Sequence, residues 1–136
     1  MVHVLENYTT MSKDFIKYIK MKYNSNYSHD LEVGQVFEKE LGYILENKAI
    51  ECKKDLLANK TSNVFIEYFN LRSNKKSGIS TTESEWHAIW INEHNIRLVE
   101  TNYLKQKCRK YLNTKRDVKG GDKNTSKGIL LPIDEI

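Results

Sequence analysis

Ala49-Ile50-Glu51-Cys52-Lys53-Lys54-Asp55 is the stretch on which the reading of this chain turns. Taken as a strand it alternates: Glu51, Lys53 and Asp55 project from one face, and Ile50 and Cys52 from the other. A carboxylate and an ammonium group then stand about 7 Å apart along one strand face. A lone Glu-x-Lys is common in charged proteins, so its weight comes from what surrounds it.

On the amino-terminal side, Glu46-Asn47-Lys48 is a turn, and before it Val33, Phe37, Leu41 and Ile44 trace an apolar stripe on a helix that starts near Asp30, a residue able to cap free backbone amides. Glu38 and Glu40 lie on that helix, Glu40 toward the stripe. A polar connector over 24–28 separates it from an earlier amphipathic helix over 10–23, marked by Met11, Phe15, Tyr18 and Ile19. On the carboxyl-terminal side, a polar loop through 59–62 leads to Asn63-Val64-Phe65-Ile66-Glu67-Tyr68-Phe69-Asn70, the clearest strand in the chain. The basic loop 72–78 follows, and Thr81 or Thr82 can cap a short helix across 83–85. Residues 86–91 form an apolar strand, 92–95 a hairpin turn, and 96–100 its return. A helix over 101–112 turns Tyr103, Leu104, Cys108 and Tyr111 inward. Gly120-Gly121-Asp122 is a loop, and 129–133 supplies a terminal edge strand. The order predicts an α/β (α+β) domain with a central mixed β-sheet flanked by helices.

The 136 residues, 39% hydrophobic and 29% charged, suit one domain rather than a disordered or membrane chain. It divides into a helical extension over 1–24, a core over 28–112, and a basic loop with the edge strand over 113–136. No apolar run approaches the roughly 18 residues of a membrane span, and the start Met1-Val2-His3-Val4-Leu5 lacks the pattern of a secretion signal. A cytoplasmic protein is expected, with Cys52 and Cys108 as reduced thiols. The scattered His29, His87 and His94 fit no zinc spacing, and no phosphate-loop signature is present. The net charge of +4 is unevenly placed: basic residues crowd 105–127 against only Asp117 and Asp122, which suits a phosphate backbone or a solvated basic surface.

Phosphodiester hydrolysis needs a water nucleophile and an outlet for charge on the leaving oxygen, and carboxylate-held Mg²⁺ serves both ends. A neighbouring lysine positions the water and offsets phosphate charge. Glu51 and Lys53 supply both side-chain types. Glu67, alone among apolar residues, needs a cation or hydrogen-bond donors if its face is covered; otherwise it is a carboxylate on an open strand face.

From about residue 30 to 91, and more weakly through the tail, the chain resembles the PD-(D/E)XK nuclease superfamily, and its small phage-type members in particular. The carriers are Gly34-Gln35-Val36-Phe37-Glu38, Ile50-Glu51-Cys52-Lys53-Lys54-Asp55, Asn63-Val64-Phe65-Ile66-Glu67-Tyr68, Ser77-Gly78-Ile79-Ser80-Thr81-Thr82 and Gly120-Gly121-Asp122. The resemblance implies a restriction-endonuclease-like core and a Mg²⁺-dependent DNA endonuclease, with Mn²⁺ able to substitute. It makes Glu51, Lys53 and Glu38 the catalytic set, and Glu38, Glu51, Asp55 and Glu67 the metal carboxylates. The superfamily's aspartate ahead of Glu-x-Lys has no counterpart between Asp30 and Glu51, so Glu40, Asp55 or Glu67 takes its place. In a second register Asp55 leads and Glu67 is the strand glutamate, but Phe69 then stands where the lysine belongs. Lys75, Lys76, Ser77, Thr81 and Thr82, with Lys119, Lys123 and Lys127, are the expected DNA contacts, the alternative for 77–82 being an ordinary capped helix start with a solvated loop. DNA is the expected partner, and a homodimer through the 10–23 helix would reach both strands. The competing reading is a non-catalytic DNA-binding or assembly protein on the same fold.

Overall fold

A computed structural model of the chain describes residues 27–136. The helix expected over 10–23, and with it the suggested dimer surface, lies outside the described residues. Contacts divide the chain into two compact units, Met1–Lys48 and Ala49–Ile136. Among the described residues no helix is long and apolar enough to cross a membrane.

In the first unit, helix α1 spans Tyr27–Asn47. The carboxylate of Asp30 lies in its first turn, where it offsets the positive end of the helix. The expected stripe is displaced: Ile44 is buried, but Phe37 and Leu41 are 41% and 47% exposed. The withdrawn side runs instead through Val33, Val36, Glu40 and Ile44. The 100° step of a helix carries Phe37 and Leu41 progressively round from that line.

The second unit holds two sheets where the sequence suggested one. Strands β1 (Ile50–Lys54), β4 (Trp86–Asn92) and β5 (Asn95–Glu100) form a mixed sheet in the order β1-β4-β5, with β1 parallel to β4 and β5 returning antiparallel. Strands β2 (Asn63–Asn70), β3 (Lys75–Lys76), β6 (Asp117–Gly120) and β7 (Ser126–Pro132) form an antiparallel sheet in the order β3-β2-β7-β6. A short helix α2, Ala58–Thr61, carries the chain from the first sheet to the second. Helix α3, Thr101–Arg109, follows β5 directly.

Alternation selects the core. On β4 the buried residues are His87, Ile89 and Ile91, and on β2 they are Val64 and Ile66. Leu104 and Cys108 face inward from α3, whereas Tyr103 is exposed and Tyr111 only half-buried. Trp86 and Trp90 fall on the opposite face of β4, half-buried.

Three local expectations change. The segment 129–133 is no edge strand: β7 lies between β2 and β6, its Ile129 and Leu131 fully buried. The basic loop that was expected before it contains β6, which covers the outer side of β7. No helix forms over 83–85; a 3-10 turn occurs earlier, at Gly78–Ser80, where Ile79 is drawn into the core. Gly78 takes φ +52°, and a Cβ there would lie 2.3 Å from the Glu67 carbonyl oxygen, so the turn exists in this place because the residue is glycine.

Candidate functional site

Glu51 and His87 are register partners on parallel strands β1 and β4, so their side chains leave one rung of the sheet on the same face. The Glu51 carboxylate is 47% exposed; its Oε2 accepts a 2.6 Å hydrogen bond from the Thr82 hydroxyl and lies 3.6 Å from His87 Nε2. The other ring nitrogen of His87 lies 2.8 Å from the hydroxyl of buried Thr101, the first residue of α3. Burial pushes the His87 pKa below the usual histidine range; the Glu51 charge opposes this, and the charges of Lys53 and Lys105 reinforce it. His87 is therefore a neutral imidazole at pH 7, held between a carboxylate at the surface and a hydroxyl in the interior.

The segment 77–82 ties this group to the other sheet. Ser77 Oγ donates to Glu67 Oε1 at 3.1 Å, and Ser126 Oγ donates to the same oxygen at 2.6 Å. Thr82 holds Glu51 from the other end of the segment. Glu67 thus finds the donors its half-covered position demands, in two hydroxyls rather than a cation. Asp55 holds the turn before α2 to β2: Oδ1 accepts from the Leu57 amide at 2.9 Å and Oδ2 from the Phe65 amide at 2.8 Å. Lys53 is half-buried on β1, two residues from Glu51 and on the same face. Glu38 is exposed on α1 of the other unit, and Glu40 is buried there.

Glu51, Asp55 and Glu67 offer the hard oxygen donors that Mg²⁺ takes. Among the described residues, however, no three His, Cys, Asp or Glu side chains stand close enough to share one ion. The carboxylates are instead held separately, by a threonine and a histidine, by backbone amides, and by two serines. This arrangement does not fit a metal as it stands.

The expected DNA contacts separate into two kinds. Ser77 and Thr82 spend their hydroxyls on carboxylates, and Thr81 donates to the Gly78 carbonyl at 3.3 Å. The lysines gather. Phe69 pairs with both Lys76 and Lys127, and Lys127 pairs in turn with Lys119, so three lysines lie on one rung crossing the four-stranded sheet. Lys75 lies on the next rung, and Lys123 is exposed in the turn between β6 and β7. Lys127 is partly engaged, 3.9 Å from Asp117 and over the Tyr68 ring. Two further cations of the basic stretch are structural: Lys110 pairs with Glu135 at 2.6 Å, and Arg116 donates to Asn63 Oδ1 and the Leu130 carbonyl.

His87, Thr101 and Ser126 were not among the expected site residues. His87 carried a partial signal, since it occupies the inward phase of β4 with Ile89 and Ile91. Its pairing with Glu51 depends on strand register, which no local pattern encodes. The chain matches no protein-family model, no curated protein and no solved structure.

Proposed function

We propose that the protein is a metal-dependent DNA endonuclease of the PD-(D/E)XK kind, built on a restriction-endonuclease-like core, with Glu51 and Lys53 at its centre. The observation that carries this reading is the segment 77–82, which hydrogen-bonds Glu51 on one sheet and Glu67 on the other. Two carboxylates from separate sheets are thereby referred to one short piece of chain, with Lys53 beside the first. In this reading the Lys53 ammonium offsets charge on the scissile phosphate, and the lysine rung Lys76, Lys127 and Lys119 tracks the backbone. Mg²⁺, or Mn²⁺ in its place, is the cofactor the reading calls for. It further requires that Asp55 or Glu67 give up its present donors to join Glu51 when substrate is bound. The homodimer belongs to the same proposal and is checked by light scattering.

One observation favours a second reading, a DNA-binding or assembly protein without catalysis: no three metal-ligating side chains converge among the described residues. The two readings part in a cleavage assay on linear, circular and branched DNA with Mg²⁺ or Mn²⁺. The nuclease reading expects cutting by the natural protein, reduced about 100-fold or more in Lys53→Ala while DNA binding persists. Intact DNA in every reaction, with binding retained, supports the second reading instead.

A further inference from the structure

A separate cavity of about 270 Å³ opens between α3 and the β3–Gly78 region, and its rim is positive. Lys76 reaches it from β3, while Lys105 and Arg109, four residues apart and so on one side of α3, reach it from the opposite wall. None of the three forms an ion pair among the described residues. No carboxylate lines the cavity. Asp117, which accepts from the hydroxyl of the lining Tyr68 at 2.7 Å, already lies near Lys127. Ile79, Leu112 and Ile129 give the lining an apolar part, beside Tyr68, Ser80 and Cys108.

Arg109 lies in the last turn of α3, where a basic residue offsets the negative end of the helix. That accounts for only part of the charge: the helix end is worth about half a unit charge, against three full positive charges, one of them on a different element. Lys76 and Arg109 are exposed and Lys105 is half-buried, so the three charges are hydrated, yet gathered around one opening they repel one another unless an anion joins them. Phosphate satisfies both lysines and arginine, and the apolar part of the lining suits the flat face of a base.

We propose that this cavity binds the phosphate of a single nucleotide, with the base against Ile79, Leu112 and Ile129. The nucleotide is either free or part of a DNA strand, two sources of the same chemistry. The proposal rests on the DNA-directed half of the function proposed above and not on cleavage. Lys76 belongs both to this rim and to the lysine rung, so a strand lying along the rung passes the mouth of the cavity.

The test is calorimetric titration of the full chain with dAMP, with deoxyadenosine, and with short single-stranded oligonucleotides carrying a 5′-phosphate or a 5′-hydroxyl. Binding of dAMP and none of deoxyadenosine is expected. Affinity for dAMP should fall at least about tenfold in Lys105→Gln/Arg109→Gln, and by a smaller factor in Lys76→Gln. Circular dichroism and the thermal midpoint confirm that these surface variants are folded. Competition against dAMP by the 5′-phosphorylated strand alone identifies a strand end as the source, equal competition by both strands a backbone phosphate, and competition by neither a free nucleotide. Glu51→Gln should leave dAMP binding unchanged whatever it does to cleavage, which keeps this inference and the nuclease reading separately testable. Absence of dAMP binding by the natural protein, or equal affinity in the folded double variant, overturns the proposal.

Discussion

His87 is a proton-sensitive contact at the centre of the candidate site. Its folded pKa lies below that of an unfolded histidine, chiefly because burial disfavours the imidazolium. Above about pH 6.5 neither state carries the proton, and stability is undiminished. As pH falls from there, the unfolded chain takes up a proton that the folded protein refuses, so stability drops and then levels off once the folded value has been passed. Urea midpoints across about pH 5 to 8 should show this loss in the natural protein and a flatter profile in His87→Gln. An identical slope in both proteins would remove His87 from the account. The two thiols form a sharper contrast at the same scale. Cys108 is 6% exposed, and burial raises its pKa to about 12, whereas Cys52 is exposed on β1. A thiol reagent at neutral pH should label one cysteine quickly and the second only after denaturant is added; mass spectrometry of digested protein identifies which is which.

At the scale of elements, the 3-10 turn Gly78–Ser80 is the joint on which the site depends. Replacing Gly78 with alanine imposes a left-handed backbone on a side chain and drives Cβ into the Glu67 carbonyl. A loss of at least about 2 kcal/mol is expected in chemical denaturation. A smaller loss would mean that the turn relaxes without harm. The strands were legible in the sequence because runs rich in β-branched and aromatic residues between polar turns suit a pleated surface: 63–70, 86–91 and 96–100 all stand close to where that composition put them. The distribution of strands between two sheets was not legible, because alternation names a face but never a neighbour. The strand 117–120 was hidden among basic and glycine residues that look like a loop. It exists because β7 offers it a partner. The candidate site shows the same division. That Glu51 and Lys53 share a face follows from β1 alone, whereas the hydroxyls of Thr82 and Ser126 reach their carboxylates from 31 and 59 residues away. Helix α1 marks a further boundary of pattern reading, since Phe37 and Leu41 satisfied the helical period yet stand in solvent.

For the molecule as a whole, the lysine rung makes a prediction about ionic strength. Lys119 and Lys127 are direct cross-strand neighbours, and the single carboxylate of Asp117 beside Lys127 leaves this pair of charges one anion short. If DNA lies along the rung, each lysine that releases a counterion contributes about one unit to the slope of log affinity against log salt. Lys119→Gln should weaken binding of any duplex sequence and reduce that slope by about one, as read from fluorescence anisotropy at several salt concentrations. An unchanged slope would place the DNA elsewhere. The inner position of β7 has another consequence, this one for synthesis. Strand β2 pairs along nearly its whole length with β7, Asn63 with Pro132 and Ile66 with Ile129. On the ribosome, Val64 and Ile66 emerge long before their partners exist, and only a hairpin to the two-residue β3 can form meanwhile. The nascent chain therefore carries an apolar, unzipped strand until Ser126–Pro132 has been made, and this interval is when it is most exposed to aggregation and most in need of a chaperone.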